Sequence, residues 1–240
     1  MSVSRETPDP LLTRGGRQAV LRSVQVQRLL EALAAEPDPH TTVDPEAALE
    51  VHVADSLSGL EVRELAAARR VADVGAGAGF PGLALAIALP RSQVDLIESA
   101  GRKTAVIDRL IQAAELGNAR SITARAEDFA RTPAALGGGR EAYDAVTARA
   151  VGPLAVLVEY AAPLLRVDGV LVAWKGARDP AEESAGAAAA EKVGMAVREV
   201  LPVQPYEASE NRHLHVFRKL APTSPEFPRR AGMARKRPLV

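Results

Sequence analysis

Two hydrophobic periodicities divide the chain near residue 70. Before it, Val20, Val24, Gln27 and residues 30–33 follow the three-to-four spacing of a helix, and Pro37 and Pro39 end the pattern because proline cannot continue it. A second helix is expected over residues 45–60, and the Pro-, Gly- and polar-rich residues 1–16 read as a loose arm. From residue 70 onwards, short β-branched runs alternate with longer helical stretches, the pattern of a parallel sheet built from crossover units. Strands are expected at residues 70–74, 94–98, 120–123, 143–147, 169–174, 197–203 and 212–217. Between them lie helices such as 104–116, where Ile107, Leu110, Ile111 and Ala114 share a face, and one opened by Asp179 as cap with Pro180 in the first turn.

A chain of 240 residues suits one such α/β domain with appended helices. The expected division is an N-terminal arm with helices (1–69), the α/β domain (70–220) and a basic tail (221–240). The absence of cysteine excludes disulfides, thiolate metal sites and thiol catalysis, and the four histidines have no metal-binding spacing, so no metal is expected. The opening residues lack the apolar stretch of a secretion signal, and the apolar run 83–89 is too short for a bilayer, so a cytoplasmic location is expected.

The formal net charge is zero, which disfavours a protein that coats nucleic acid through a large field. The ends are nevertheless basic, with Arg14, Arg17, Arg22 and Arg28 at one and Arg229, Arg230, Arg235, Lys236 and Arg237 at the other. The tail, interleaved with Phe227, Pro228 and Pro238, suits contact with RNA phosphates as well as a merely solubilising role.

Asp73-Val-Gly-Ala-Gly-Ala-Gly79 falls between the first strand and the helix that follows it. At such a junction glycines permit positive φ and close backbone approach to a ligand. Gly77, Gly79 and Gly82 also fit the dinucleotide spacing, so the loop by itself leaves NAD open. Glu98 ends the second strand, where a carboxylate accepts from ribose hydroxyls of either kind of cofactor. The surroundings favour a different donor. Asp73 at the end of strand one is similar to the acid that helps class I methyltransferases hold the methionine part of S-adenosylmethionine, and Ala126-Glu-Asp128 after strand three stands where they frame adenine.

Gly75-Ala-Gly-Ala-Gly-Phe-Pro-Gly82, Leu96-Ile-Glu-Ser99, Arg125-Ala-Glu-Asp128, residues 143–150 and Ala173-Trp-Lys-Gly176 occur in order, and with them the chain resembles the RsmG, or GidB, family. His52-Val-Ala-Asp-Ser-Leu57, Asn211-Arg-His-Leu214 and Phe227-Pro-Arg-Arg-Ala-Gly232 extend the similarity, so that it covers about residues 45–240; Pro39-His-Thr-Thr42 departs from the family's Asn-Leu-Thr. The resemblance implies a Rossmann-like class I methyltransferase with a seven-stranded, mostly parallel sheet and N-terminal helices. It further implies S-adenosylmethionine as cofactor and N7 of a guanine in small-subunit ribosomal RNA as acceptor. Gly75, Phe80, Ala126, Glu127 and Arg149 are then cofactor residues, to which physical reasoning adds Gly77, Gly79 and Glu98.

The residues suit that chemistry. Attack on a pyrimidine carbon usually needs a cysteine, and amino-group methylation a Pro-Pro-aromatic loop after strand four, where this chain has Thr147-Ala-Arg-Ala150. Guanine N7 needs neither. Arg149 and Lys175 are the catalytic candidates: Arg149 at the cofactor carboxylate or a phosphate, or else in a surface pair with Asp144, and Lys175 at an RNA phosphate or guanine O6, or else solvated. Trp174 reads as a core or rim aromatic before a stacking platform, and His52 and Asp55 stand three apart on one helix, placed to bond each other. A monomer is expected. Competing readings are a methyltransferase of small molecules or proteins, a non-catalytic RNA-binding protein, and an NAD dehydrogenase, which lacks a hydride-transfer acid or base pair here.

Overall fold

The computed structural model describes residues 14–239. Its strands are β1 (Arg70–Val74), β2 (Gln93–Glu98), β3 (Ala119–Thr123), β4 (Tyr143–Arg149), β5 (Leu165–Lys175), β6 (Met195–Val203) and β7 (Arg212–Lys219). The helices are α1 (Arg14–Leu21), α2 (Val24–Ala35), α3 (Asp55–Leu57), α4 (Arg63–Ala66), α5 (Gly82–Ala88), α6 (Gly101–Ala113), α7 (Ala126–Arg131), α8 (Leu154–Ala161), α9 (Pro180–Lys192) and α10 (Met233–Lys236).

Among the described residues the strands form one seven-stranded sheet in the order β3-β2-β1-β4-β5-β7-β6. β1 to β5 are parallel, and β7 lies antiparallel between β5 and β6. The strands lie where expected, with differences in extent: β4 runs on through Arg149, so that Thr147 to Arg149 are strand and not the loop after it, β6 starts at Met195, and β5 starts earlier, at Leu165, which pairs with Tyr143 before an irregularity. Successive strand residues face opposite sides, and two apolar cores result. Val71, Val94, Leu96, Val170 and Val172 pack with Leu29, Leu83 and Ile107 on one side, while Ala72, Val74, Ile97, Leu171 and Ala173 pack with Leu154, Val158 and Phe217 on the other.

The chain reverses direction across the sheet between β1 and β4, and at such a switch the C-terminal strand ends leave a crevice for ligands. Because β3, β2, β1 and β4 are adjacent and parallel, the segments after Asp73, Glu98, Thr123 and Arg149 all emerge on that one edge.

The N-terminal part departs from expectation: α1 begins at Arg14, inside the stretch expected as a loose arm, and the rest of that arm, residues 1–13, lies outside the described residues. The first helical stretch is two helices, because Ser23 caps α2 by accepting from the Val26 N–H at 3.3 Å. The buried face of α2 is Val26, Leu29 and Leu33, whereas Val24 is exposed. Residues 45–60 are no single α-helix: a π-helical stretch, Leu49–Ala54, precedes α3, and a 3-10 turn, Ser58–Glu61, follows it. Side chains compete for the backbone here, with Ser58 donating to the Asp55 carbonyl at 2.6 Å, Ser56 to the His52 carbonyl, and Arg149 to the Val51 carbonyl at 3.0 Å.

The C-terminal segment is anchored on the core. Phe227 and Ala234 are buried in the second apolar core, and Arg229 forms a bidentate pair with Glu159, itself 1% exposed. Among the described residues no helix is long and apolar enough to cross a membrane, and no cluster of potential ligands could hold a metal.

Candidate active site

The glycine loop is shaped by both conformation and space. Gly75, Gly77 and Gly79 have φ of +67°, +58° and +99°, which side chains disfavour. A Cβ on Gly79 would strike Leu83 at 2.3 Å, whereas one on Gly77 would meet only the Gly75 carbonyl at 3.8 Å and otherwise enter open space. Gly79 therefore serves packing, and Gly77 leaves room beside the loop.

Asp73 fixes the loop to the sheet. Its Oδ2 accepts from the Gly82 N–H and its Oδ1 from the Thr147 hydroxyl, both at 2.9 Å. Burial raises its carboxyl to about 6 in spite of these bonds. Both oxygens of the acid expected at the methionine end are thus engaged within the protein. Glu98 is placed differently: Oε2 accepts from Gly77 N–H at 3.2 Å and Oε1 from Ala100 N–H at 2.9 Å, so the carboxylate stands between the loop and the end of β2. Ala126 and Glu127 open α7, and Glu127 Oε1 accepts from the Gly232 N–H at 2.8 Å. That contact ties the C-terminal segment to the cofactor edge, and sequence reasoning did not foresee it.

Arg149 gathers the other side of the site. Its Nη1 donates to Asp55 Oδ2 at 2.7 Å and its Nη2 faces His52 Nδ1 at 3.3 Å. His52 stacks on Phe80 with centroids 4.6 Å apart and an interplanar angle of 7°. Burial, followed by the Arg149 charge, lowers His52 to about 4, so its ring is neutral near pH 7. Nδ1 then accepts from Arg149, and Nε2–H donates to Thr41 Oγ1 at 2.9 Å. His52 and Asp55 are therefore joined through Arg149 rather than to each other. The alternative pairing of Arg149 with Asp144 fails, because Asp144 binds Arg166 at 2.6 Å and accepts from the Arg69 and Arg70 N–H groups.

Lys175 pairs with Glu182 at 2.6 Å and donates to the Gly152 carbonyl at 3.2 Å, so it is held rather than freely solvated. Trp174 is buried and donates to the Asp55 carbonyl at 2.9 Å, which makes it a core aromatic. A concavity of about 230 Å³ lies among Asp55, Arg149, Trp174, Lys175 and Arg212. Arg212 was visible in sequence only as part of the Arg-His-Leu element, without a role.

The cofactor edge fits an adenosyl group on its own terms: a carboxylate for ribose hydroxyls at Glu98, and open space at Gly77 that a Cβ would fill. The family model described as rRNA small subunit methyltransferase G (GidB) matches residues 27–214. The chain belongs to this family. It is thereby an S-adenosylmethionine-dependent rRNA methyltransferase, as the resemblance implied. Proteins named ribosomal RNA small subunit methyltransferase G are similar to it over most of its length: that of Rubrobacter xylanophilus is 43% identical, covering 82% of this chain and 76% of its own, and that of Desulfitobacterium hafniense is 37% identical, covering 82% and 80%. Among solved structures, a Methanococcus jannaschii fibrillarin pre-rRNA processing protein aligns with TM-score 0.53 at 20% identity, over 70% of this chain and 74% of its own. Aeropyrum pernix fibrillarin, solved with natively bound S-adenosyl-L-methionine, aligns with TM-score 0.51 at 16% identity, over 68% and 72%. At these identities the likeness carries the fold alone, and that fold is the class I methyltransferase one.

Proposed function

We propose that the chain methylates N7 of a guanine in small-subunit ribosomal RNA, in the cytoplasm. The observation that carries this reading is Arg149, which links the cofactor edge at the end of β4 to a base-sized concavity rich in hydrogen-bonding groups. When bound, S-adenosylmethionine supplies an electrophilic methyl group whose bonding pair stays on sulfur.

The chain's own part is positioning and desolvation. Glu98 takes the ribose hydroxyls, the Gly75–Gly79 backbone and the start of α7 at Ala126 and Glu127 border the adenosyl group, and Phe80 on His52 closes the side facing Arg149. Asp73 acts through the loop it holds. Guanine N7 has a free lone pair, so no residue has to remove a proton, and the absence of cysteine is no handicap. Lys175 is a positioning residue through its bonds to Glu182 and Gly152. The exposed Arg230, Lys236 and Arg237 of the C-terminal segment meet RNA phosphates. Nucleoside mass spectrometry of small-subunit rRNA from cells with and without the gene, together with transfer of labelled methyl by the purified protein, tests the reading. N7-methylguanine that depends on the gene is expected; a methyl group on an amine, a ribose oxygen or a pyrimidine carbon would refute it.

A further inference from the structure

Two residues that line the concavity beside the cofactor edge, Asp55 and Arg212, each have a buried polar atom without a hydrogen-bond partner, Oδ1 and Nε. Protein interiors pair nearly all such atoms, so two orphans on one concave lining point to a ligand that completes them. The Asp55 side chain is 8% exposed, and Arg149 engages Oδ2 at 2.7 Å, which leaves Oδ1 as the unpaired oxygen. Arg149, Lys175 and Arg212 can only donate, and an ionised Asp55 can only accept. The complementary ligand therefore presents N–H groups next to an oxygen acceptor. At about 230 Å³ the space is below the roughly 300 to 1,000 Å³ of pockets that enclose a whole drug-sized ligand, and suits a single planar base.

Guanine has that pattern on its Watson–Crick edge: N1–H and N2–H₂ as donors, with O6 beside them. Adenine sets a lone pair at N1, and cytosine one at N3, where guanine has N–H. We infer that Asp55 determines base specificity by accepting from guanine N1–H and N2–H₂ through Oδ1, while Arg212 donates through Nε–H to O6. The inference rests on guanine being the methyl acceptor, with N7 on the other edge of an extruded base. Asp55 Oδ1 has essentially no exposed area, so entry of the base requires a small movement of the lining.

The test uses the full-length protein and small-subunit particles assembled on rRNA with either guanine or inosine at the modified position. Inosine keeps N7, O6 and N1–H and lacks only the N2 amino group. The wild type should lose roughly 10-fold or more in kcat/KM on inosine, the worth of a hydrogen bond to a charged group. Asp55→Asn should be slower on guanine and show an inosine penalty of about threefold or less, with the cofactor dissociation constant measured separately. Where turnover of the variant is too slow, competition between guanine and inosine RNA for binding, with demethylated cofactor present, reads the same ratio. Equal penalties in wild type and variant would mean that Asp55 only positions Arg149, and no penalty in the wild type would equally overturn the inference. A wild type that makes no N7-methylguanine would instead refute the underlying reading of the acceptor.

Discussion

Arg149 reaches across 94 residues of chain to place Nη1 2.7 Å from Asp55 Oδ2, joining the end of β4 to the irregular helical segment that precedes the sheet. The two side chains are 16% and 8% exposed, so removal of the arginine strands a buried carboxylate. Read from sequence alone, a strand-end arginine suggests a variant that loses activity and keeps its stability. With this partner, Arg149→Ala should lose about 3 kcal/mol of unfolding free energy along with turnover. Denaturant titration and methyl transfer on the same preparation measure both; unchanged stability would place the pair with weak surface pairs.

Acid should act on the site in two opposing ways. His52 is lowered to about 4, so the unfolded chain takes up its proton first, and that contribution to stability is lost as pH falls from about 6.5 towards 4. Asp73 is raised to about 6, so the folded chain takes up the proton first and gains stability as pH falls through 6. The two nearly offset each other in the wild type. Asp73→Asn removes the gain, and stepping from pH 7 to pH 5 should cost this variant about 1 to 1.5 kcal/mol more than the wild type. Equal pH responses in urea unfolding would show that Asp73 is not raised.

Glu98 bridges the glycine loop and the end of β2, bonding Gly77 and Ala100 N–H groups. If it takes the ribose hydroxyls as proposed, its replacement by alanine should remove charge-assisted bonds worth about 1.5 to 3 kcal/mol, or roughly 10- to 150-fold in cofactor affinity. Calorimetry with S-adenosylmethionine and with its demethylated product should show this loss, and NAD should bind neither protein. An unchanged dissociation constant would remove Glu98 from the site.

The sheet was legible because its signals are local: β-branched runs, the glycine loop and Glu98 each lie within one strand and its exit. The linkage of His52, Asp55 and Arg149 was not, because nothing near residue 52 indicates that its partner is at 149, and a helical spacing of three suggested a direct bond instead. The π-helical stretch escaped for a related reason. It depends on carbonyls engaged by Ser56, Ser58 and the distant Arg149, which an apolar periodicity does not register. Charge counting likewise grouped the C-terminal arginines together, whereas burial separates them: Arg229 is bound to Glu159, and Arg230 is exposed.

That separation gives the C-terminal segment two testable parts. Arg229 neutralises a carboxylate that is 1% exposed, so Arg229→Ala should destabilise the fold by about 3 to 5 kcal/mol. Deleting residues 228–240 should do the same and also weaken cofactor binding, since it removes the Gly232 N–H from Glu127. Truncation therefore cannot isolate RNA contacts. Replacing Arg230, Lys236 and Arg237 together with alanine leaves both anchors in place and removes three exposed charges. If each meets one phosphate, the slope of log RNA affinity against log salt should become shallower by about 2, at roughly 0.7 per contact on single strands. Melting temperature and the S-adenosylmethionine dissociation constant should stay at wild-type values. An unaltered salt slope in filter binding would mean that the RNA approaches from another face, and a lower melting temperature would mean that these side chains, like Arg229, hold the segment down.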